Sequence, residues 1–320
     1  MAEGGLLTFT DPDGYAGAFS DARVNLTITG AGDFEAELTR LKLNHLQVYR
    51  CYESLPRIAY ISLPPAQIFL SFPVGTTSIV SDGSVLRDGD MVLHRRGAST
   101  HQRSDGACQW GLISLSPKEF ESCRKALTGR EIALPNASRI LRPARADAAR
   151  FQRLFTQACH LAEARQKLIE RPEVARALQQ EMFHAIIHCL AADSPTARHN
   201  QILVMGRFEE SLSKYNDQMP SMPRLCTEIG VAERTLRMCC AKFLGVSPTR
   251  YLLLRRLNKA RSALRRANPS KATVAEVARN HQFLELGRFA VTYRTIFGES
   301  PSVTLGRTIG KDETQRAGRA

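Results

Sequence analysis

Arg234 and Arg237 stand three apart in the segment GVAERTLRM. On a helix that spacing puts both guanidinium groups on one face. Each is a planar fork that can donate two hydrogen bonds to a phosphate or to the O6/N7 edge of guanine. More cations follow in PTRYLLLRRLNKARSALRR, residues 248–266, where Arg255, Arg256, Lys259, Arg261, Arg265 and Arg266 lie off the face made by Leu253, Leu257, Ala260 and Leu264. These arginines suit either phosphate contact or a solvated face. Other chemistries find no purchase: there is no nucleophile motif, no clustered carboxylates and no Gly-rich phosphate loop. The eight cysteines form no CxxC pair and match no histidine spacing for zinc, so they are expected to be small buried apolar residues in a reducing compartment. His94 and His101 flank RRGAST without a His-x-His and a downstream Glu, which argues for a core or surface role rather than a metal site. No metal, cofactor or enzymatic activity is therefore expected.

The charge pattern agrees with a polyanionic partner. The net charge is +13, and residues 200–320 hold 21 Lys and Arg against 10 Asp and Glu, whereas residues 1–199 hold 23 against 21. One part of the chain is built to face a polyanion such as double-stranded DNA and the other is not. The 320 residues exceed the roughly 250 at which single cores stop growing, so two domains are expected. No apolar run approaches the roughly 20 residues that cross a bilayer, and the N-terminus lacks the basic-then-apolar pattern of a signal peptide, so a cytoplasmic protein is expected, with no membrane partner.

The elements that must position these groups fall into two regimes. Residues 1–21, rich in Gly, Asp and Ala, predict a flexible tail. Short apolar runs then predict strands at 43–49, 57–63, 66–72, 91–94 and 109–115, separated by Pro64-Pro65, Asp82-Gly83, Asp88-Gly89 and Asp105-Gly106. Short, numerous strands with Asp-Gly turns favour an antiparallel barrel or sandwich. Helical spacing takes over at 117–127, 144–168 and 172–192; in the last, Val174, Leu178, Met182, Ile186 and Leu190 recur every four residues with Phe183 and Ile187 beside them. That stripe must be buried, either on the domain's own sheet or in a dimer interface. The first domain thus spans 22–192, a polar linker 193–200, a second domain 201–308 and a flexible tail 309–320.

The second domain repeats itself. After an amphipathic helix at 201–215, residues 223–248 give one apolar face (Leu225, Cys226, Ile229), Gly230 for a tight turn, and a second face (Leu236, Cys240, Phe243, Leu244). The layout recurs at 273–301. At an offset of 53, Leu236 matches Phe289, Cys240 matches Tyr293, Gly245 matches Gly298, Ser247 matches Ser300 and Pro248 matches Pro301. Two helix-turn-helix units in tandem follow, joined by a helix of about 27 Å, which would set two recognition helices about one DNA turn, near 34 Å, apart.

Residues 200–308 resemble the DNA-binding domain of AraC/XylS regulators over its whole length: GVAERTL, FLGVSPTRYL, RRLNKARSAL, VAEVA and FGESPSVTL look like its characteristic blocks. LNKARSALRRA and FGESPSVTL are similar to the subgroup that regulates ethanolamine utilisation. The resemblance implies an α+β chain: a cupin-like antiparallel barrel or sandwich with following helices, which senses a small-molecule effector and forms a homodimer, then an all-α domain that binds DNA. It also implies contact with RNA polymerase, as in an activator. The first recognition helix offers Glu233, Arg234, Arg237 and Met238 to bases. Base-facing positions of the second hold Leu286, Gly287, Arg288, Ala290 and Val291, so direct readout is expected mainly from the first, and phosphate contacts, apolar contacts to thymine methyls and shape sensing from the second; Thr292 and Thr295 are candidates for phosphate contact, as are Arg255 and Arg256 between the units. Where the family usually has Gly in the second turn stands Gln282, and a left-handed Gln costs about 1 kcal/mol or more, so that turn is expected to be rebuilt or less stable. In the first domain, Tyr49, Phe69, Phe72 and Trp110, with His94, either line an effector cavity or form core. Two other readings are a ligand-independent architectural DNA-binding protein and an enzyme fused to a DNA-binding unit.

Overall fold

The computed structural model describes residues 3–128, 138–190, 199–215 and 220–307. The first domain runs β1 (Glu3–Phe9), α1 (Pro12–Gly17), β2 (Arg23–Ile28), β3 (Ala36–Lys42), β4 (Leu46–Glu53), β5 (Arg57–Ser62), β6 (Ile68–Pro73), β7 (Ile79–Ser81), β8 (Ser84–Leu86), β9 (Met91–His94), β10 (Ser99–Ser104), β11 (Cys108–Leu115), α2 (Pro117–Thr128), β12 (Arg139–Leu141), α3 (Arg145–Ala164), α4 (Gln166–Ile169) and α5 (Pro172–Leu190). A seven-stranded sheet, β1-β3-β4-β11-β6-β9-β12, and a five-stranded sheet, β2-β5-β10-β7-β8, are each antiparallel in their paired strands. Both sheets keep free edges, so the architecture is a sandwich and not the closed barrel that was one of the two expectations.

Alternation along the strands assigns side chains to layers. In β11, Trp110 and Leu112 point between the sheets, where they join Tyr49, Cys51, Phe69, Ala59 and Ile61, while Ile113 and Leu115 point outward to a second core with Phe151, Phe155, Phe183 and Ile186 of α3 and α5. Gly111 makes room for the Phe72 ring of the adjacent strand β6, 2.4 Å from where a Cβ would stand, and for Phe155 of α3 at 3.0 Å. Met182, Phe183, Ile186, Ile187 and Leu190 of the α5 stripe are buried in this domain's own core, while Val174 and Leu178 are half-buried.

The first 21 residues are not a tail. Residues 3–9 pair with β3, and α1 starts at an Asp11 cap whose Oδ2 accepts from the Gly14 amide at 2.8 Å. Tyr15 is fully buried and donates its hydroxyl to Glu53 at 2.9 Å. Glu53 also takes the Trp110 indole N–H at 3.0 Å and pairs with Arg57 at 2.6 Å, both side chains being inaccessible. A composition-based reading discounted this segment because its Gly and Asp residues are turn and cap residues rather than signs of disorder. Most of the expected linker 193–200 and the whole tail 309–320 lie outside the described residues.

The second domain runs α6 (His199–Lys214), α7 (Met222–Ile229), α8 (Glu233–Leu244), α9 (Pro248–Arg266), α10 (Val274–Asn280), α11 (Leu286–Phe297) and α12 (Pro301–Gly306). It has two cores. α6, α7, α8 and the start of α9 enclose Phe208, Leu225, Leu236, Phe243 and Tyr251; the rest of α9 encloses Phe289, Tyr293 and Phe297 with α10 to α12. Among the described residues no helix is long and apolar enough to cross a membrane.

Candidate nucleic-acid interface

Each helix pair is held by the same local chemistry. Gly230 (φ 73°) turns α7 into α8, and Gly245 (φ 72°) and Gly298 (φ 77°) end α8 and α11 in the left-handed region. Ser247 and Ser300 then cap the following helices, accepting from Arg250 N at 3.2 Å and Val303 N at 3.3 Å, with Pro248 and Pro301 at the first helical position. α10 begins with a reciprocal box between Thr273 and Glu276. In the second turn Gln282 takes Gly230's place and its left-handed backbone (φ 60°); the turn keeps its hydrogen bonds, Gln282 N to Arg279 O at 2.8 Å and Phe283 N to Ala278 O at 2.9 Å. The turn is therefore not rebuilt, and Gln282 carries the backbone cost.

On α8, Arg234, Arg237 and Met238 are exposed. Glu233 is paired with Arg237 at 2.6 Å, so its carboxylate orients a guanidinium instead of standing free to meet a base. On α11, Arg288 and Val291 are exposed, and Arg288 is 3.5 Å from Glu285. Leu286 is partly buried against the second core, and the hydroxyls of Thr292 and Thr295 donate back to Arg288 O at 2.8 Å and Val291 O at 2.9 Å. Those three are accordingly less available than their spacing implied. Leu284, 86% exposed just before α11, was missed because an aliphatic residue beside Phe283 reads as core.

From Arg255 onward the arginines of α9 are engaged within the protein. Arg255 pairs with Glu209, which is buried and also accepts from Tyr251 Oη at 2.7 Å and lies 3.1 Å from His101 Nε2. Burial alone would raise the Glu209 carboxyl, but Arg255, His101 and Tyr251 outweigh it and hold it down to about 2. Arg256 lies over the Phe283 ring at 4.1 Å, and Arg261 pairs with Glu299 at 3.2 Å. Arg255 and Arg256, expected at phosphates, are thus both half-buried and engaged within the protein, one with a buried carboxylate and one with an aromatic ring.

The expected effector residues are also corrected. Tyr49, Phe69, Trp110 and His94 sit in the sandwich interior and Phe72 on its opposite side, packed edge-on to Phe151 and Phe155; all are 2% exposed or less. Phe19, which follows α1, stacks on Trp110 at 6.0 Å and belongs to the same core. Burial lowers the His94 imidazole to about 4, and its Nε2 meets Ser71 Oγ at 2.8 Å. The cysteines described are free and buried, and the side chain of Cys123 lies outside the described ones. A cleft of about 1170 Å³ lies instead between α1, β2 and α9, lined by Asp11, Phe19, Tyr60, Asn258 and Lys259 among others.

Across that cleft the domains are stitched together. Asn258 Nδ2 donates to Ile28 O at 3.0 Å, and its Oδ1 accepts from Ile28 N at 3.0 Å; Arg266 pairs with Asp13 at 2.6 Å and Arg307 with Asp33 at 3.3 Å. Ile58, on the outer face of the five-stranded sheet, packs into the first helix-pair core.

Two helix pairs of one design, each presenting its second helix, define a tandem helix-turn-helix protein. A family model for a helix-turn-helix domain matches residues 225–307. The chain is 38% identical over 98 residues to the probable thc operon regulatory protein of Rhodococcus erythropolis, covering 31% of this chain and 29% of that one. It is 36% identical over 85 residues to a XylDLEGF operon transcriptional activator of Pseudomonas putida, covering 27% and 26%. The matched segment thus spans less than a third of each of these relatives. Among solved structures, the AraC-like transcriptional activator CuxR aligns over 80% of this chain and 94% of its own at 16% identity, with a TM-score of 0.40. Residues 225–307 are thus similar to a helix-turn-helix domain, and the C-terminal part of the chain is similar to segments of these operon regulators.

Proposed function

We propose that the protein is a sequence-specific DNA-binding transcription regulator, an activator that contacts RNA polymerase and responds to a small-molecule effector. One observation carries the DNA-binding reading: two helices, α8 and α11, project exposed faces containing Arg234, Arg237 and Arg288 from equivalent positions of a tandem repeat in the basic half of the chain. Similarity to the operon transcriptional activator of Pseudomonas putida supports activation. The cleft against α9 supports effector control, because a ligand there would touch both domains at once. Selection of bound duplexes from a random pool by the full chain at physiological salt tests the reading. A few shared patterns with one- or two-groove spacing are expected. Equal recovery of all sequences would leave an architectural protein, and no recovery would remove DNA as the partner.

A further inference from the structure

The two exposed helices differ in kind. At the 53-residue offset, Gly287 stands where Arg234 does, Ala290 where Arg237 does, and Val291 where Met238 does. The offset holds structurally, since Leu236 and Phe289, and likewise Cys240 and Tyr293, are buried in their respective cores. Six large apolar side chains are exposed among the described residues, and three belong to this repeat: Met238 at 53%, Val291 at 69% and Leu284 at 86%. Met238 lies on α8, Val291 on α11 and Leu284 two residues before α11, so half of these exposed apolar side chains stand on or beside the presented helices, where they call for a partner.

The surroundings of Val291 specify it. At about 100° per residue, Arg288 and Arg294 lie about 60° to either side of Val291 on α11, and both are exposed. Beside it, a Cβ added to Gly287 would meet nothing within 4 Å, so the backbone is open to close approach. An aliphatic seam flanked by cations complements a groove with apolar groups on its floor and anions on its walls. In the major groove of DNA the apolar group is the C5-methyl of thymine, and the walls are phosphates. A second copy of this basic domain would bring like charges together at the same seam.

We propose that α11 reads thymine methyl groups through Val291 and Leu284, whereas α8 reads guanine through Arg234 and Arg237. The inference rests on the DNA-binding reading above. The bound site is then asymmetric, with one half selected by hydrogen bonds and the other by methyl contacts. Replacing a large polar reader by glycine lets the second helix come close enough for those contacts.

Deoxyuridine separates the two halves, because it pairs as thymine does and lacks only the methyl group. A duplex recovered by the selection above is first mapped with Arg237→Ala: positions that lose base discrimination belong to α8, and the other half to α11. Uracil for thymine throughout the α11 half should weaken binding by the full chain about threefold to tenfold, and the same change in the α8 half by less than about twofold. The double variant Leu284→Ala, Val291→Ala should bind thymine and uracil duplexes alike while melting like the parent. Equal binding of both duplexes by the parent overturns the methyl-reading proposal and leaves the regulator standing. A double variant that keeps its thymine preference but loses self-association assigns the seam to a second copy and also overturns it. Failure to select any duplex is a different result and removes the DNA-binding reading itself.

Discussion

Three side chains hold positions whose energetic consequences can be measured singly. Gln282 occupies a left-handed turn that Gly230 fills in the sister repeat, so Gln282→Gly should stabilise the protein by about 1 kcal/mol in urea unfolding. The Glu53–Arg57 pair is sealed from water. Removing one partner by Glu53→Ala strands the other charge and should cost about 3–5 kcal/mol, read as a fall in the unfolding midpoint. His94 has its folded value lowered from 6.5 to about 4. Its sign is that of a depressed group: the unfolded chain binds the proton first, so the associated stability is complete above pH 6.5 and is lost as pH falls toward 4. The loss should reach about 3 kcal/mol. Unfolding free energies measured across that interval should show this slope, and His94→Gln should flatten it.

The paired helices are where sequence and structure meet most closely. Periodicity located α5 through α11, and the repeated Gly, Ser and Pro located both stops and starts, because each residue has one physical task at a helix end. The Asp82-Gly83 dipeptide marked a two-residue hairpin, which has both residues at positive φ, yet its strands β7 and β8 are three residues each and carry too little alternation to be seen. The site was legible as far as which helices are presented. It was not legible which cations are free, since Arg255 meets Glu209 only after α6 and α9 have packed across 46 residues of chain. Met238 was foreseen as base-facing, whereas Leu284 was hidden by its apolar neighbour. For α8, Arg237→Ala should weaken binding to a selected site by about 1–3 kcal/mol and barely change binding to random duplex. Equal loss on both would make Arg237 a phosphate contact.

Over the whole molecule, the first domain touches both helix pairs: His101 meets Glu209 at the first, and Asp33 meets Arg307 beside the second. The relative placement of α8 and α11 therefore depends on that domain as well as on α9. Asn258 is the most specific of these joints. Asn258→Ala should expose the Ile28 amide to faster hydrogen exchange while amides in the central strands β4 and β11 keep their protection. The same side chain has a protective office, for β2 is a sheet margin and Asn258 occupies both main-chain groups of Ile28 there. Cut loose from α9, the first domain would bare an unsatisfied ribbon on which another chain could crystallise its own strand, so what holds the two halves together also keeps the molecule from seeding aggregates.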